Sequence, residues 1–145
     1  MSSYVGAELR RLVAERAGSA CEYCLIHQRD TYFGCHVDHI IAEKHGGLTE
    51  LDNLALACAV CNRAKGTDIA SLIPGTDRLV RLFNPRVDRW DDHFRIRADS
   101  LLIEPLSDTG AVTAHLLGFN EFERVLERQT LVKIGHFSVA RSRPK

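Results

Sequence analysis

The sequence predicts an α+β fold built around two short strands and a helix. Two observations lead to this prediction. The first is a repeated Cys-x-x-Cys motif, Cys21/Cys24 and Cys58/Cys61, and the second is a strand, loop, strand and helix pattern around it. The composition agrees, because 145 residues with 45% hydrophobic and 26% charged residues are typical of one globular domain. We therefore expect a single domain over 1–145.

The first predicted element is an amphipathic helix over residues 5–17. Val5, Leu9 and Val13 recur at helical spacing, and Gly18 ends the pattern. The same stretch has neither the apolar run of a signal peptide nor a segment long enough to span a membrane. We therefore expect a protein of the cytoplasm that does not bind membranes.

Two strands and a helix are predicted next. Residues 31–41 (TYFGCHVDHII) are rich in β-branched and aromatic residues, which favours a strand. Residues 42–52 contain a Gly-Gly pair and several polar residues, which predicts a loop. Residues 53–57 (NLALA) predict a second strand, and the second cysteine pair opens a helix that reaches about Lys65.

The remainder of the chain is predicted to combine irregular, short-strand and helical segments. Pro-Gly and Asn-Pro pairs after Gly66 predict irregular connections, and the alternation over 94–106 predicts a hairpin or two short strands. Two helices should follow, one from a cap at Asp108 or Thr109 to Leu117 and one from a cap at Asn120 to about Ile134.

The four paired cysteines predict a structural zinc site. Two Cys-x-x-Cys motifs brought together supply four thiolates in the tetrahedral arrangement that Zn²⁺ accepts. Two disulfides or redox motifs are the alternatives, although neither a secretory signal nor a thioredoxin-like βαβ pattern accompanies the pairs. Cys35 has no partner in the pattern and is expected to be a small buried apolar residue.

Several short motifs in one order resemble the HNH endonucleases. They are CEYC, HVDHI, Gly-Gly, NL and CAVCNRAK, and they span residues 21–66. A later run, LFNPRVDRWDDHF, looks like a bacterial branch of the family. The resemblance implies a ββα-metal (His-Me finger) core over about 21–66, with an extension over 67–145. It also implies a metal-dependent endonuclease that hydrolyses DNA phosphodiester bonds by a one-metal mechanism.

The resemblance assigns the chemistry to four residues. His39 would be the general base, because an imidazole titrates near neutrality. Asp38 and Asn62 would hold the catalytic cation, and their hard oxygen atoms suit Mg²⁺ first and Mn²⁺ second. Many members of the family have His where this chain has Asn62. Asn53 matches the middle residue of the motif, whose amide would orient the base.

Four further residues are candidates for ligand or substrate contacts. His36 would share a strand face with Asp38, so it is a further candidate metal ligand, although a structural histidine explains it equally well. His45, beside the Gly-Gly pair, lies in the loop that faces substrate in the family. Arg63 and Lys65 are candidate phosphate contacts on the motif helix. The formal net charge of zero means that DNA binding needs such a local basic surface.

Two other functions compete with the DNA endonuclease. One is a non-catalytic nucleic-acid-binding module stabilised by zinc, although such a module has no chemical need for Asp38, His39, Asn53 and Asn62 together. The other is a nuclease that acts on RNA or serves as a toxin. No motif in the sequence separates this second alternative from a DNA enzyme.

Overall fold

The structure, a computed structural model, describes residues 4–140. Its helices in this range are Ala7–Arg16 (α1), Ala59–Lys65 (α2), Trp90–His93 (α3), Asp108–Leu116 (α4) and Phe122–Lys133 (α5). Its strands are Cys35–His39 (β1), Leu54–Cys58 (β2), Ala70–Leu72 (β3), Leu79–Arg81 (β4), Phe94–Ile96 (β5) and Ile103–Pro105 (β6). Consecutive strands pair into three antiparallel two-stranded sheets, which gives the α+β fold that the sequence predicts.

The first sheet and the helix after it form a ββα unit. Cys35 pairs with Cys58 and His39 pairs with Leu54, so β1 and β2 run antiparallel over their full length. Every residue of β2 is buried, which explains its nearly continuous apolar sequence LALAC. Helix α2 follows β2 without a connection and packs against both strands. The predicted order of strand, loop, strand and helix is confirmed.

Strand β1 is shorter than the predicted strand over 31–41. Gly34 has a positive φ of 72°, and this conformation interrupts an extended chain just before β1. Tyr32 and Phe33 are 92% and 68% exposed, so no packing supports their preference for a strand. A short 3₁₀-helix, Gln28–Asp30, lies ahead of them instead.

Helix α1 packs on the outer side of β2. Val13 is fully buried and joins Val5, Leu54 and Leu56 in a small apolar cluster. The guanidinium of Arg16 donates hydrogen bonds to the backbone carbonyl of Leu54 at 2.5 Å and to that of Leu51 at 2.9 Å. Gly18, in the left-handed region at φ 61°, follows the end of the helix. The prediction for this element is confirmed.

The C-terminal segment is more regular than the sequence predicts. The β3–β4 hairpin was expected to be irregular, but the Pro74-Gly75 pair forms its turn. The predicted β5–β6 pair is confirmed. Ser107, rather than Asp108 or Thr109, caps α4, because its Oγ accepts a hydrogen bond from the N–H of Gly110. The predicted cap of α5 at Asn120 is wrong, because that side chain bonds the backbone of Ile103 instead.

The main apolar core joins the cysteines to the C-terminal segment. Trp90, Phe94 and Phe119 are buried in the same cluster as Cys21 and Cys61. The indole N–H of Trp90 donates a 2.8 Å hydrogen bond to the backbone carbonyl of Tyr23, inside the first Cys-x-x-Cys motif. Part of the segment 67–140 therefore packs directly on the cysteine motifs. Over residues 4–140, no helix is both long and apolar enough to cross a membrane.

Candidate functional site

The four paired cysteines meet in one buried cluster. The sulfur atoms of Cys21, Cys24, Cys58 and Cys61 all lie within 4.8 Å of one another. No described pair of cysteines forms a disulfide. The sulfur atoms of Cys24 and Cys58 lie 3.6 Å apart, too far for a covalent S–S bond. The geometry is consistent with a structural zinc site, and over residues 4–140 it gives no support to the disulfide alternative.

Local backbone geometry directs these sulfur atoms toward one point. In the first motif the N–H of Cys24 donates to Cys21 Sγ, and in the second the N–H of Cys61 donates to Cys58 Sγ, both at 3.4 Å. Leu25, with a positive φ of 72°, turns the chain back after the first motif. Cys58 is the N-cap of α2, so β2 and α2 share the residue that begins the second motif.

The groups in and beside the cysteine cluster shift one another's pKa values. Hydrogen bonds from the other three cysteines hold the pKa of Cys58 far below its ordinary value, whereas burial raises that of Cys21. Arg124 of α5 places its guanidinium 3.8–3.9 Å from the sulfur atoms of Cys58 and Cys61. Burial lowers the pKa of Arg124, but the charges of the nearby cysteines outweigh this effect and raise it.

Asp38 is a buried carboxylate between β1 and α2. It is 5% exposed, and its Oδ2 accepts a hydrogen bond from the Tyr23 hydroxyl at 2.9 Å. The Lys65 ammonium lies 3.1 Å from Oδ2 as an ion pair and donates a 3.4 Å hydrogen bond to Oδ1. Burial raises the pKa of Asp38, and Lys65 and Tyr23 lower it by a smaller amount. The ion pair between Asp38 and Lys65 joins β1 to α2 at the centre of the ββα unit.

His39 follows Asp38 but points to the other face of β1, because side chains alternate along a strand. Its Nε2 forms a 2.9 Å hydrogen bond with Thr49 Oγ1 and lies 3.6 Å from a carboxylate oxygen of Glu43. Both partners belong to the loop between β1 and β2. The loop therefore fixes the orientation of the imidazole ring.

Asn53 fixes the path of that loop. Its Oδ1 accepts a hydrogen bond from the N–H of Ile41, and its Nδ2 donates to the carbonyls of Ile41 and Leu48, all at 2.9 Å. A Cβ at Gly47 would lie 1.7 Å from the carbonyl oxygen of Ile41 and 2.7 Å from Asn53 Nδ2. Only glycine fits there, which gives a physical reason for a Gly in this loop.

Helix α2 places Asn62 and Lys65 on one side, since residues three apart are neighbours on a helix. Asn62 is half-buried and Lys65 is 2% exposed, with its ammonium also bonded to the carbonyl of Ile40 at 3.0 Å. The prediction that Lys65 contacts phosphate does not agree with this position, because a phosphate contact has to be accessible. Arg63 is exposed and meets that requirement.

The remaining predicted residues lie at the surface. His36 is exposed and lines a cavity of about 600 Å³ together with His39, Arg10 and Gln28. His45 is exposed at the end of a short 3₁₀-helix in the loop between β1 and β2. The cysteine cluster contains neither histidine.

A comparison with protein-family models identifies the segment that carries these features. Residues 21–68 match the HNH endonuclease family. The match covers less than half of the chain and includes both cysteine pairs, Asp38, His39 and Asn62. Neither the curated proteins nor the solved structures gave a match to this chain.

The matched residues 21–68, called the HNH segment below, can be tested for their fit to a catalytic divalent cation. A carboxylate has about four lone-pair positions. Asp38 Oδ2 accepts a hydrogen bond from Tyr23 and lies 3.1 Å from the Lys65 ammonium, whereas Oδ1 accepts only a longer hydrogen bond, 3.4 Å, from Lys65. Within residues 4–140, the side-chain amide of Asn62 forms no hydrogen bond, and the residue is half-buried. Asp38 and Asn62 therefore offer oxygen donors on packed elements, and donors of this chemistry are of the kind that Mg²⁺ or Mn²⁺ accepts.

Sequence reasoning missed three residues of the HNH segment and its surroundings. Tyr23 lies inside the CEYC motif and could have been noticed as a polar group between two metal ligands. Thr49 and Arg124 gave no local signal, because the first contacts His39 across a loop and the second contacts the cysteines from a distant helix. Only the folded chain brings them to the site.

Proposed function

We propose that this protein is a metal-dependent endonuclease that hydrolyses DNA phosphodiester bonds by a one-metal mechanism, with His39 as the general base. The observation that carries the proposal is the arrangement around β1. There a loop holds the imidazole of His39 on one face while the Asp38 carboxylate faces α2. The family match supports a nuclease-type function for the same segment.

The hydrogen bond at Nε2 supports a choice between the two nitrogens of His39 as the base. When Nε2 carries the proton and donates it to Thr49 Oγ1, the lone pair belongs to Nδ1. Within residues 4–140, the hydrogen bond of the His39 ring is the one at Nε2, and Nδ1 forms none. We therefore assign the acceptance of a proton from the attacking water to Nδ1. The nearby Glu43 carboxylate then stabilises the positive charge that the ring acquires.

The remaining residues hold the substrate and the cation. Asp38 and Asn62 would bind a divalent ion, with Mg²⁺ expected, which would neutralise the phosphate charge and stabilise the leaving oxyanion. Arg63 supplies an accessible guanidinium for a phosphate on the same helix. Asn53 keeps the loop in place, so that Thr49 stays in contact with His39.

We assign the cysteine cluster a structural role with bound zinc. Its four thiolates connect the start of the HNH segment to the end of β2, which closes a long loop around β1. The catalytic chemistry depends on this cluster only through the fold.

The Asp38–Lys65 ion pair favours a second candidate function. Lys65 partly neutralises the carboxylate without any added cation, as expected of a non-catalytic nucleic-acid-binding module. The two functions differ in metal-dependent cleavage. A nuclease retains the lone pair of Oδ1 for an ion, whereas a module uses Asp38 only to attach β1 to α2.

Replacing His39 tests the proposal. His39→Ala should retain the fold and the zinc content but lose nicking of supercoiled plasmid in Mg²⁺ by about 100- to 10,000-fold, because the base is absent. The assay measures nicking rates by gel electrophoresis, with a parallel single-stranded RNA substrate. His115→Ala, at an exposed position on α4, is the matched control and should cut at the wild-type rate.

The same assay separates the alternatives. DNA binding by the wild type without cleavage in Mg²⁺ or Mn²⁺ would contradict the nuclease and favour the binding module. Cleavage of RNA alone would contradict DNA as the substrate. Wild-type rates in His39→Ala would remove His39 as the base.

A further inference from the structure

The C-terminal helix α5 provides a buried cation beside the cysteine cluster. Arg124 is 7% exposed, and its two terminal nitrogens contact Cys58 Sγ and Cys61 Sγ at 3.8–3.9 Å. Both cysteines belong to the second motif, more than 60 residues earlier in the chain. The contact joins the extension to the HNH segment.

No carboxylate close enough to form a hydrogen bond accompanies this guanidinium within the described chain. Glu127 is the nearest recorded acid, with a carboxylate oxygen 3.8 Å from the Nε of Arg124, and its own side chain is 42% exposed. The Nε is also buried without a hydrogen-bond partner among the described residues. A buried charge needs a compensating partner, because its desolvation is costly. Glu127 forms an ion pair at the Nε side, and the sulfur atoms of Cys58 and Cys61 are in position to compensate the charge at the two terminal nitrogens.

Zinc chemistry explains why a cation belongs there. A Zn²⁺ ion with four thiolates carries net negative charge, and burial removes the water that would otherwise screen it. Groups that contact metal ligands from outside tune the affinity for the metal. The planar guanidinium of arginine reaches two sulfur atoms at once, which a lysine ammonium on a single stem does less well.

We propose that Arg124 is a positioning residue of the zinc site, which neutralises the thiolates of Cys58 and Cys61 and thereby couples zinc retention to the docking of α5. The extension then contributes a residue, Arg124, to the surroundings of the metal site. This inference rests on the proposed zinc site, but it does not depend on nuclease activity.

Two substitutions of similar length and different charge test the coupling in the full-length zinc-loaded protein. Arg124→Gln should release zinc to a chromogenic chelator about 10- to 100-fold faster than the wild type, because the thiolates lose their compensating charge. Arg124→Lys should stay much closer to the wild type. Lys133→Met removes an exposed charge from the same helix and should not change release. Circular dichroism checks the fold of each variant.

Each outcome bears on the inference. Wild-type release by Arg124→Gln, or equally fast release by Arg124→Gln and Arg124→Lys, would overturn it. If Arg124→Gln does not fold while Arg124→Lys folds and keeps zinc, the charge explanation holds. Failure of both variants to fold would assign Arg124 to packing alone and overturn the inference. Absence of zinc from the purified wild type would instead contradict the zinc site itself.

Discussion

At the scale of single residues, the contacts of His39 bear on its proposed role as the general base. A histidine on a strand is commonly a satisfied structural residue. Here one ring nitrogen bonds Thr49 and lies near Glu43, while the other forms no hydrogen bond with the described residues. Thr49 thus acts on the proposed reaction only through His39, as a positioning residue.

Thr49→Val tests this role, because valine keeps the shape of threonine and removes the hydroxyl. The imidazole would lose the partner of its Nε2, and we expect kcat for plasmid nicking to fall by up to about 100-fold with a smaller change in KM. Thr67→Val, at an exposed position after α2, is the control. An unchanged kcat in Thr49→Val would show that the loop does not orient His39 through this bond.

At the scale of elements, the structure explains how short pieces remain in place. Helix α2 has only 7 residues, but Lys65 bonds Asp38 and the carbonyls of His39 and Ile40, which fixes the helix on β1. The β3–β4 hairpin is similarly short. Arg81 at its end forms two hydrogen bonds, of 2.7 and 2.8 Å, with the carboxylate of Asp88.

The Arg81–Asp88 pair predicts a pH-dependent contribution to stability. The hydrogen bonds from Arg81 lower the pKa of Asp88 more than burial raises it, and the N–H of Asn84 adds a further bond. A lowered pKa in the folded state stabilises the protein above the unfolded pKa of about 3.9, and this contribution is lost as the pH falls through the folded value.

Asp88→Asn should therefore reduce the free energy of unfolding at pH 7 by about 1 kcal/mol, a modest value because the Arg81 side chain is 55% exposed. The difference from the wild type should shrink between pH 5 and pH 3, as urea unfolding at each pH would measure. Asp77→Asn, on the exposed turn of the same hairpin, should change neither quantity. A difference that grows at low pH would contradict the sign of the effect.

At the scale of the whole molecule, the cysteine cluster lies where three parts of the chain meet. The first motif follows α1, the second begins α2, and α5 contacts the second motif through Arg124. Aromatic residues of the extension pack in the same core, with Trp90, Phe94 and Phe119 among them. Loss of zinc should therefore lower the stability of the extension as well as that of the HNH segment.

Cys58→Ser tests this prediction through stability and metal content together. The variant should contain much less than the roughly one zinc ion per chain expected for a four-cysteine site, and its thermal midpoint should fall. Cys35→Ser is the matched control, because Cys35 is a half-buried cysteine outside the cluster, and it should keep its zinc. Full zinc content with an unchanged midpoint in Cys58→Ser would refute the zinc assignment.

Local patterns were sufficient for the order of elements in the HNH segment. Cysteine spacing, the periodicity of α1 and the apolar run of β2 each reflect chemistry within a few residues, so they predicted the ββα order and the meeting of the two motifs. The start of β1 could not be predicted in this way. Residues 31–34 have a sequence preference for a strand, but Gly34 has a positive φ and the two aromatic residues before it are exposed. The cap of α5 was also missed, since Asn120 bonds a strand instead of its own helix.

The sequence by itself determined the residue types of the candidate site: four cysteines, Asp38, His39, Asn53 and Asn62, in one order and at fixed spacing. The tertiary structure decided which of them are buried and what they contact. Lys65 reads as a surface cation in the sequence, yet it lies inside because a buried carboxylate compensates its charge. Arg124 reads as an ordinary helix residue, yet it contacts the cysteines. Long-range pairing of buried charges leaves no local pattern, and only the folded chain reveals it.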